Sequence, residues 1–298
     1  MSASPPLHDS RLGILWMIGG MTAFLGNDAI VKSVSERLPT PQILAVRGLM
    51  AVTLIALVAW RMGVLDRIRV IASGWVALRA GCEGVGTLLY VTALSGLPLA
   101  NATAINQASP LFVALLAYLM LGEHVGPARR WAIAAGFAGV MLIIQPRPGE
   151  FNAFAWLALL ATFVYSLRDI LTRRITPGTP SILITLATAA VVMAIGACAL
   201  PIVGWVPMRS TDLALLALAS ALLSTGYYAM IAAVRNGELS VVAPFRYTGL
   251  LWALVLGFII WGDIPNVVSW IGIALLLSAG MLLVQEQRRL ARRLRPAG

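Results

Sequence analysis

The sequence predicts an all-α polytopic membrane protein, with ten transmembrane helices arranged as two inverted-topology five-helix repeats. Three observations predict it. Of 298 residues, 59% are hydrophobic and only 11% are charged, where an ordinary soluble domain has about 25% charged. That composition excludes a soluble globular enzyme, a disordered chain and a secreted disulfide scaffold. The chain also contains ten apolar runs, each near the roughly 20 residues that a helix needs to cross a bilayer core. Finally, the second half echoes the first at an offset of about 140 positions.

The predicted spans are 12–31, 43–60, 72–94, 99–121, 128–145, 153–171, 182–203, 213–234, 239–261 and 266–285. They are about twice the length of a barrel strand and lack its alternation. Pro39-Thr40-Pro41, Pro146-Arg147-Pro148-Gly149 and Pro177-Gly178 mark boundaries. The first run, from Leu12, is long enough to be a retained helix rather than a cleaved signal. Cys82 and Cys198 fall inside apolar runs and read as small core residues. The domain organisation follows: an N-terminus (1–11), a first repeat (12–145), a linker (146–152), a second repeat (153–285) and a basic tail (286–298).

The net charge of +10 comes from 22 basic and 12 acidic residues. With both termini cytoplasmic, 14 Lys and Arg fall on the inside and 4 on the outside, the bias that orients membrane proteins. The basic residues lie between apolar runs and in the tail Arg288–Arg295, so the expected contact is the lipid bilayer and not nucleic acid.

The repeat is carried by ordered matches. Thr40-Pro41-Gln42-Ile43-Leu44 corresponds to Thr179-Pro180-Ser181-Ile182-Leu183, Leu121-Gly122-Glu123 to Trp261-Gly262-Asp263, and Ala138-Gly139 to Ala279-Gly280. Asp28 and Lys32 are spaced as Asp169 and Arg173 are. Five spans per half is odd, so the second half enters the membrane from the opposite side. That inversion is characteristic of secondary transporters, whose site lies near the midplane between the repeats.

The stretch Pro98-Leu-Ala-Asn-Ala-Thr-Ala-Ile-Asn-Gln-Ala-Ser-Pro110, followed by Leu121-Gly122-Glu123 and a glycine-spaced fifth span, resembles the EamA-type drug/metabolite transporter superfamily. Ala243-Pro244-Phe245 through Gly262-Asp263 resembles the same motif in the second half, with Asp263 where Glu is usual. The resemblance covers roughly 12–285. It implies export or exchange of small metabolites by alternating access in a bacterial inner membrane, without enzymatic activity or cofactor. Among well-studied members the YddG-like aromatic and neutral amino-acid exporters fit best; others carry riboflavin, S-adenosylmethionine, nucleotide sugars or purines.

Charged and polar residues inside spans mark the candidate cavity, because each charge costs about 2.5–3.5 kcal/mol to insert and needs a partner or water. In the third span Arg79, Glu83, Gly86 and Tyr90 share an arc of roughly 60°. Arg79 and Glu83 are placed to pair at i,i+4, either as a cavity wall or as a bridge that makes the helix insertable. In the sixth, Thr162, Tyr165, Ser166, Asp169 and Arg173 share roughly 100°. Asp169 and Tyr165 are assigned to the cavity, whereas Arg168, one step away, points elsewhere and receives no assignment. Asn27 and Asp28 break the first span, and Lys32 beyond them reads as a snorkelling cation.

The fourth span carries Asn101, Thr103, Asn106, Gln107 and Ser109-Pro110. The ninth sets Arg246 and Tyr247 at the positions matching Asn106 and Gln107. Pro110 and Pro244 each free a backbone carbonyl, for a substrate, a hinge or a compensated bend. Arg246 is the best candidate for a carboxylate, which guanidinium binds bidentately. Tyr227 and Tyr228 complete the set in the eighth span, beside Ser220 and Ser224. The small residues of spans five and ten read as packing within the monomer or as a homodimer contact. Trp16, Trp60, Trp131, Trp205 and Trp270 read as the interfacial belt. No metal site is expected, since His8 and His124, the only histidines, lie outside the spans. That also argues against an intramembrane enzyme, and the polar stripes argue against a non-transporting receptor.

Overall fold

The structure, a computed structural model, describes residues 10–121, 126–145, 152–172, 174–176, 178–236 and 239–293. Gly122-Glu123, His124, Pro146–Gly149, Arg173 and Pro177 lie outside the described residues, as do the two chain ends. Among the described residues every regular element is helical. The helices are α1 (Ser10–Ser35), α2 (Thr40–Arg61), α3 (Gly74–Gly96), α4 (Leu99–Asn106), α5 (Ser109–Leu121), α6 (Pro127–Ile144), α7 (Ala153–Thr172), α8 (Ser181–Val203), α9 (Ser210–Asn236), α10 (Leu239–Val242), α11 (Thr248–Trp261) and α12 (Val267–Arg293).

Among the described residues twelve α-helices give ten passes because two passes are broken. The fourth predicted span is α4 followed by α5, interrupted at Gln107-Ala108. The ninth is α10, a 3-10 turn over Ala243–Tyr247, and α11. Pro110 is the second residue of α5 and Pro244 the second of the 3-10 turn, first-turn positions where the missing N–H removes no helical bond. Eight passes are long and apolar enough to cross a membrane, and α6 is a shorter apolar helix. The remaining pass, α3, is 23 residues long and carries Arg79 and Glu83. A 3-10 helix over Leu65–Ala72 precedes α3, so that span begins two residues later than predicted. α9 and α12 run past the predicted ends.

The packing is symmetric under exchange of the halves. α1 lies along α9, and its counterpart pair α3–α7 does the same; α2 packs on its own equivalent α8, and α6 on its own equivalent α12. All four pairs are antiparallel. Gly20 meets Ala229 whereas Gly26 meets Leu222; Gly86 meets Tyr165 whereas Gly96 meets Phe154; Gly48 meets Met193 whereas Ala45 meets Gly196; Gly136 meets Ala279 whereas Gly139 meets Gly272. Equivalent helices running in opposite directions are the inverted repeat itself.

The small residues of spans five and ten therefore face one another inside the monomer, so a homodimer would have to use other faces of these helices. At this crossing the backbones nearly touch: a Cβ on Gly139 would lie 2.7 Å from the Gly272 carbonyl oxygen, and one on Gly272 2.6 Å from that of Gly139. The outward faces carry the exposed apolar side chains, including Trp60, Trp131, Trp205 and Trp270.

Gly139→Leu is expected to lower the melting temperature of the detergent-purified protein, by the equivalent of about 1–3 kcal/mol for forced overpacking. Gly19→Ala, with nothing within 4 Å of the added carbon, serves as the control and is expected to leave it unchanged.

Candidate functional site

The in-span charges converge between the repeats in two connected clusters. The first is built by α1, α2 and α3. Arg47, 6% exposed, sits in the middle of α2 and donates from Nη1 to Asn27 Oδ1 at 2.9 Å. The other end of the same amide, Asn27 Nδ2, donates to Asp28 Oδ1 at 2.9 Å. Tyr90 Oη donates to Asp28 Oδ2 at 3.3 Å. Asn27 therefore stands between the guanidinium and the carboxylate and passes polarisation from one to the other.

The second cluster is built by α3 and α7. Arg168 Nη1 donates to Glu83 Oε2 at 2.5 Å, while its Nε and Nη2 donate to Asp169 Oδ1 at 2.9 and 2.7 Å. Its guanidinium also lies over the Tyr165 ring, 5.1 Å from the centroid. Arg168 thus holds two carboxylates, correcting the expectation that it points away. The helical wheel describes where Cα–Cβ points, but the arginine stem is long enough to bend back. The expected Arg79–Glu83 pair is present as a longer contact of 4.0 Å, and Arg79 also donates to Thr172 Oγ1 at 3.1 Å and Thr188 Oγ1 at 2.7 Å.

Tyr165 joins the clusters, with its hydroxyl on Thr87 Oγ1 at 3.3 Å and its ring edge-on to Tyr90 at 6.3 Å. Tyr227 lies within electrostatic reach of Glu83, Arg168, Arg79 and Arg47, and its ring meets Phe24 edge-on at 5.1 Å. Arg246, in the 3-10 turn of the ninth pass, is within reach of Asp169 and Arg168. Its side chain is exposed, as is that of Asp169 at 39%. Among the described residues the Arg246 guanidinium has no hydrogen bond or ion pair. Charges in the membrane-spanning region need water or a partner, and both of these side chains are accessible at the surface of the bundle.

The two broken passes meet here. Gln107 Nε2 donates to the Arg246 carbonyl at 3.2 Å. The neighbouring backbone is stapled by α7: Thr162 Oγ1 reaches the Ile105 carbonyl at 3.5 Å, and Ser166 Oγ the Ser109 carbonyl at 3.3 Å. Neighbouring hydroxyls thus compensate the bend before Pro110.

Three expected residues go elsewhere. Tyr228, 65% exposed, packs edge-on against Trp16 at 5.8 Å, outside the clusters. Tyr247 turns its hydroxyl onto the backbone of Gly280 in α12. Asn101 lines a separate cavity of about 330 Å³ with Pro98, Gln145, Asn152, Asn266 and Ser269. Asn106 is half-buried at the end of α4. Arg47 was not among the expected site residues. The available signal was a lone arginine amid an apolar run, a residue that needs an answering group from another helix.

One face of the bundle, where α1, α3, α6, α8 and α11 end, is tied across the repeats. Gln42 and the Val206 backbone exchange two bonds, of 2.7 and 2.9 Å. Arg37 pairs with Asp212 and donates to the Pro207 carbonyl at 3.1 Å. Gln145 Nε2 donates to Asn266 Oδ1 at 2.8 Å and to Ser269 Oγ at 3.0 Å. Trp261 Nε1 donates to Glu36 Oε1 at 2.7 Å. Lys32 does not snorkel outward. It is 8% exposed, donates to the Leu94 and Leu97 carbonyls at 3.1 and 2.6 Å, and lies over the Trp261 ring. It neutralises the C-terminal end of α3.

The sequence pattern of the EamA-like transporter family matches residues 11–145 and again 153–285. A riboflavin transporter of Rhizobium johnstonii is 30% identical over 72% of this chain and 71% of its own. One from Vibrio cholerae is 27% identical over 96% and 97%. The pseudopaline exporter CntI of Pseudomonas aeruginosa strain PAO1 is 25% identical over 92% and 94%. A crystal structure covering 93% of this chain and 98% of its own superposes with a TM-score of 0.60 at 20% identity, a likeness of fold. Two matched repeats spanning nearly the whole polypeptide, folded as antiparallel equivalents around a shared polar centre, make this chain a member of the EamA-like transporter family, a multi-pass membrane protein of the drug/metabolite transporter superfamily.

Proposed function

We propose that the protein exports amino acids, aromatic and neutral ones foremost, across a bacterial inner membrane by alternating access, with both termini cytoplasmic. The observation that carries this reading is Arg246. The clusters contain four arginines (Arg47, Arg79, Arg168, Arg246) and three carboxylates (Asp28, Glu83, Asp169). The excess cation is the exposed one without a partner among the described residues. A guanidinium in that condition suits an anionic group arriving with the cargo. The half-to-half helix pairs support the mechanism, since two similar repeats in opposite orientation have two exchangeable arrangements. The bonds at the Glu36–Trp261 face belong to the arrangement closed on that side, and Pro110 and Pro244 are the hinge points.

A second reading is riboflavin transport. Relatives from three organisms carry that name, and the Tyr90–Tyr165 pair offers aromatic edges to a flat heterocycle. Counterflow in proteoliposomes separates the two. Exchange of labelled amino acids is expected; exchange of labelled riboflavin alone would overturn the amino-acid reading in favour of the second.

Arg246→Gln is expected to reduce counterflow at least tenfold, roughly 1.4 kcal/mol of binding, while leaving the melting temperature unchanged. Arg168→Met has the opposite profile. It removes the shorter of the two ion pairs of buried Glu83, leaving only Arg79 at 4.0 Å, and is expected to destabilise the protein by about 3–5 kcal/mol. Adding Glu83→Gln should recover part of that loss in thermal melts.

A further inference from the structure

The charged centre leaves unused the cavity of about 330 Å³ beside Asn101, at the end of the bundle where α4, α7 and α12 begin and α6 ends. That volume is within the range of small-molecule sites, about 300–1,000 Å³. Both repeats build its walls, Ile105, Ile143 and Ile144 coming from the first and Ala155 from the second. Among the described lining residues none is ionisable, and the polar groups are four carboxamides and the Ser269 hydroxyl.

The four amides differ in what they are committed to. Gln145 and Asn266 answer one another across the repeats, Gln145 Nε2 donating to Asn266 Oδ1 at 2.8 Å and Asn266 Nδ2 to Gln145 Oε1 at 3.1 Å. Asn152 Oδ1 accepts from the Ala155 N–H at 3.2 Å and caps α7. Asn101 makes no hydrogen bond among the described residues, and its Oδ1 is shut off from water without a partner. A buried carbonyl in that condition carries its full desolvation cost. No bond holds the Asn101 amide, so turning it over presents either end to the cavity without loss.

We propose that this cavity is a second ligand site, for a small uncharged carboxamide on an apolar body, and that its occupant holds this face of the bundle closed. A second amide answers Asn101 with one donor and one acceptor, as Gln145 and Asn266 answer each other beside it. The isoleucines take the apolar body. An ion would lose its water and meet no countercharge among the described lining residues. Opening this face separates the repeats and takes the cavity apart. Gln145 carries the mark of that closure: it is the one non-glycine residue with positive φ among the described residues, at 47°, and its side-chain bonds go to Asn266 and Ser269 of the other repeat. Such a backbone persists where its surroundings impose it. A ligand that touches both repeats binds the closed arrangement alone and shifts the population toward it. Binding there is independent of what the central site carries, whereas its effect on exchange rests on the alternating-access reading above.

The test uses the full chain and two matched pairs of probes, benzamide with benzoate and nicotinamide with nicotinate. The members of each pair are similar in shape, and only the acid is charged at neutral pH. In detergent, saturation-transfer NMR is expected to show binding of at least one amide, with its acid bound about tenfold more weakly. Asn101→Leu is expected to weaken that binding about fivefold, the worth of one neutral hydrogen bond, and to leave the melting temperature unchanged, since the folded protein loses no bond. Neither amide binding, or acid and amide binding alike, overturns the site, and so does undiminished binding by Asn101→Leu. If that variant does not fold, photolabelling with 4-azidobenzamide decides: adducts within 97–105, 143–145, 152–155 or 266–269 support the site, and adducts confined to other residues overturn it. In proteoliposomes the amide should slow counterflow of whichever cargo exchanges, about twofold at a concentration equal to its dissociation constant. Binding in the cavity with undiminished exchange overturns the hold on the closed arrangement. Protein that exchanges no cargo overturns the transport reading, while the binding and labelling results still decide the site.

Discussion

A guanidinium in the hydrocarbon layer must be met by groups from other helices, and this requirement organises the centre of the molecule. Arg47 and Arg168 lie in apolar passes where nothing on the same helix face answers them fully. Arg47 draws in Asn27 from α1, and Arg168 draws in Glu83 from α3. Each is a strong directional tie across a helix interface in a solvent that offers no hydrophobic attraction between helices. The ties keep α1, α2, α3 and α7 around a common polar centre, and the glycine-lined faces then let the backbones close around it.

The two clusters are not copies of one another. In the first repeat a neutral amide separates cation from carboxylate; in the second, Arg168 grips Asp169 directly. Asp28 and Asp169 are nevertheless equivalent in the repeat. Symmetry supplies the scaffold, and the departures from it give one carboxylate a direct ion pair and the other neutral donors.

Much of this was legible in the sequence. Composition and run lengths gave the membrane helices, and the odd number of spans per half gave the inversion that the antiparallel pairs display. Asp28, Glu83, Asp169 and Arg246 stood out because charges are rare in such runs. What was not legible depended on reach and on partners distant in sequence. Arg168 escaped because a wheel projects Cβ directions and not the arc an arginine stem can sweep. Arg47 escaped because its partner is 20 positions away on another helix. Tyr227 and Tyr228 are neighbours, and only packing decides which one faces the charges. Asn101 belongs to a different cavity because it lies in the first turn of α4, at the end of the bundle where Gln145 and Asn266 meet.

The near-contact of the Gly139 and Gly272 backbones has a mechanical consequence. Where two chains are separated by little more than van der Waals distance there is no side-chain layer to shear, so relative motion at that crossing is confined to rotation about it. Any tilt of α6 against α12 would turn about this crossing as its pivot. For a given tilt, displacement grows with distance from this pivot, so the helices farther from it sweep through the larger arc. A crossing with almost no slack is what turns a small angular change into a wide swing at the far side.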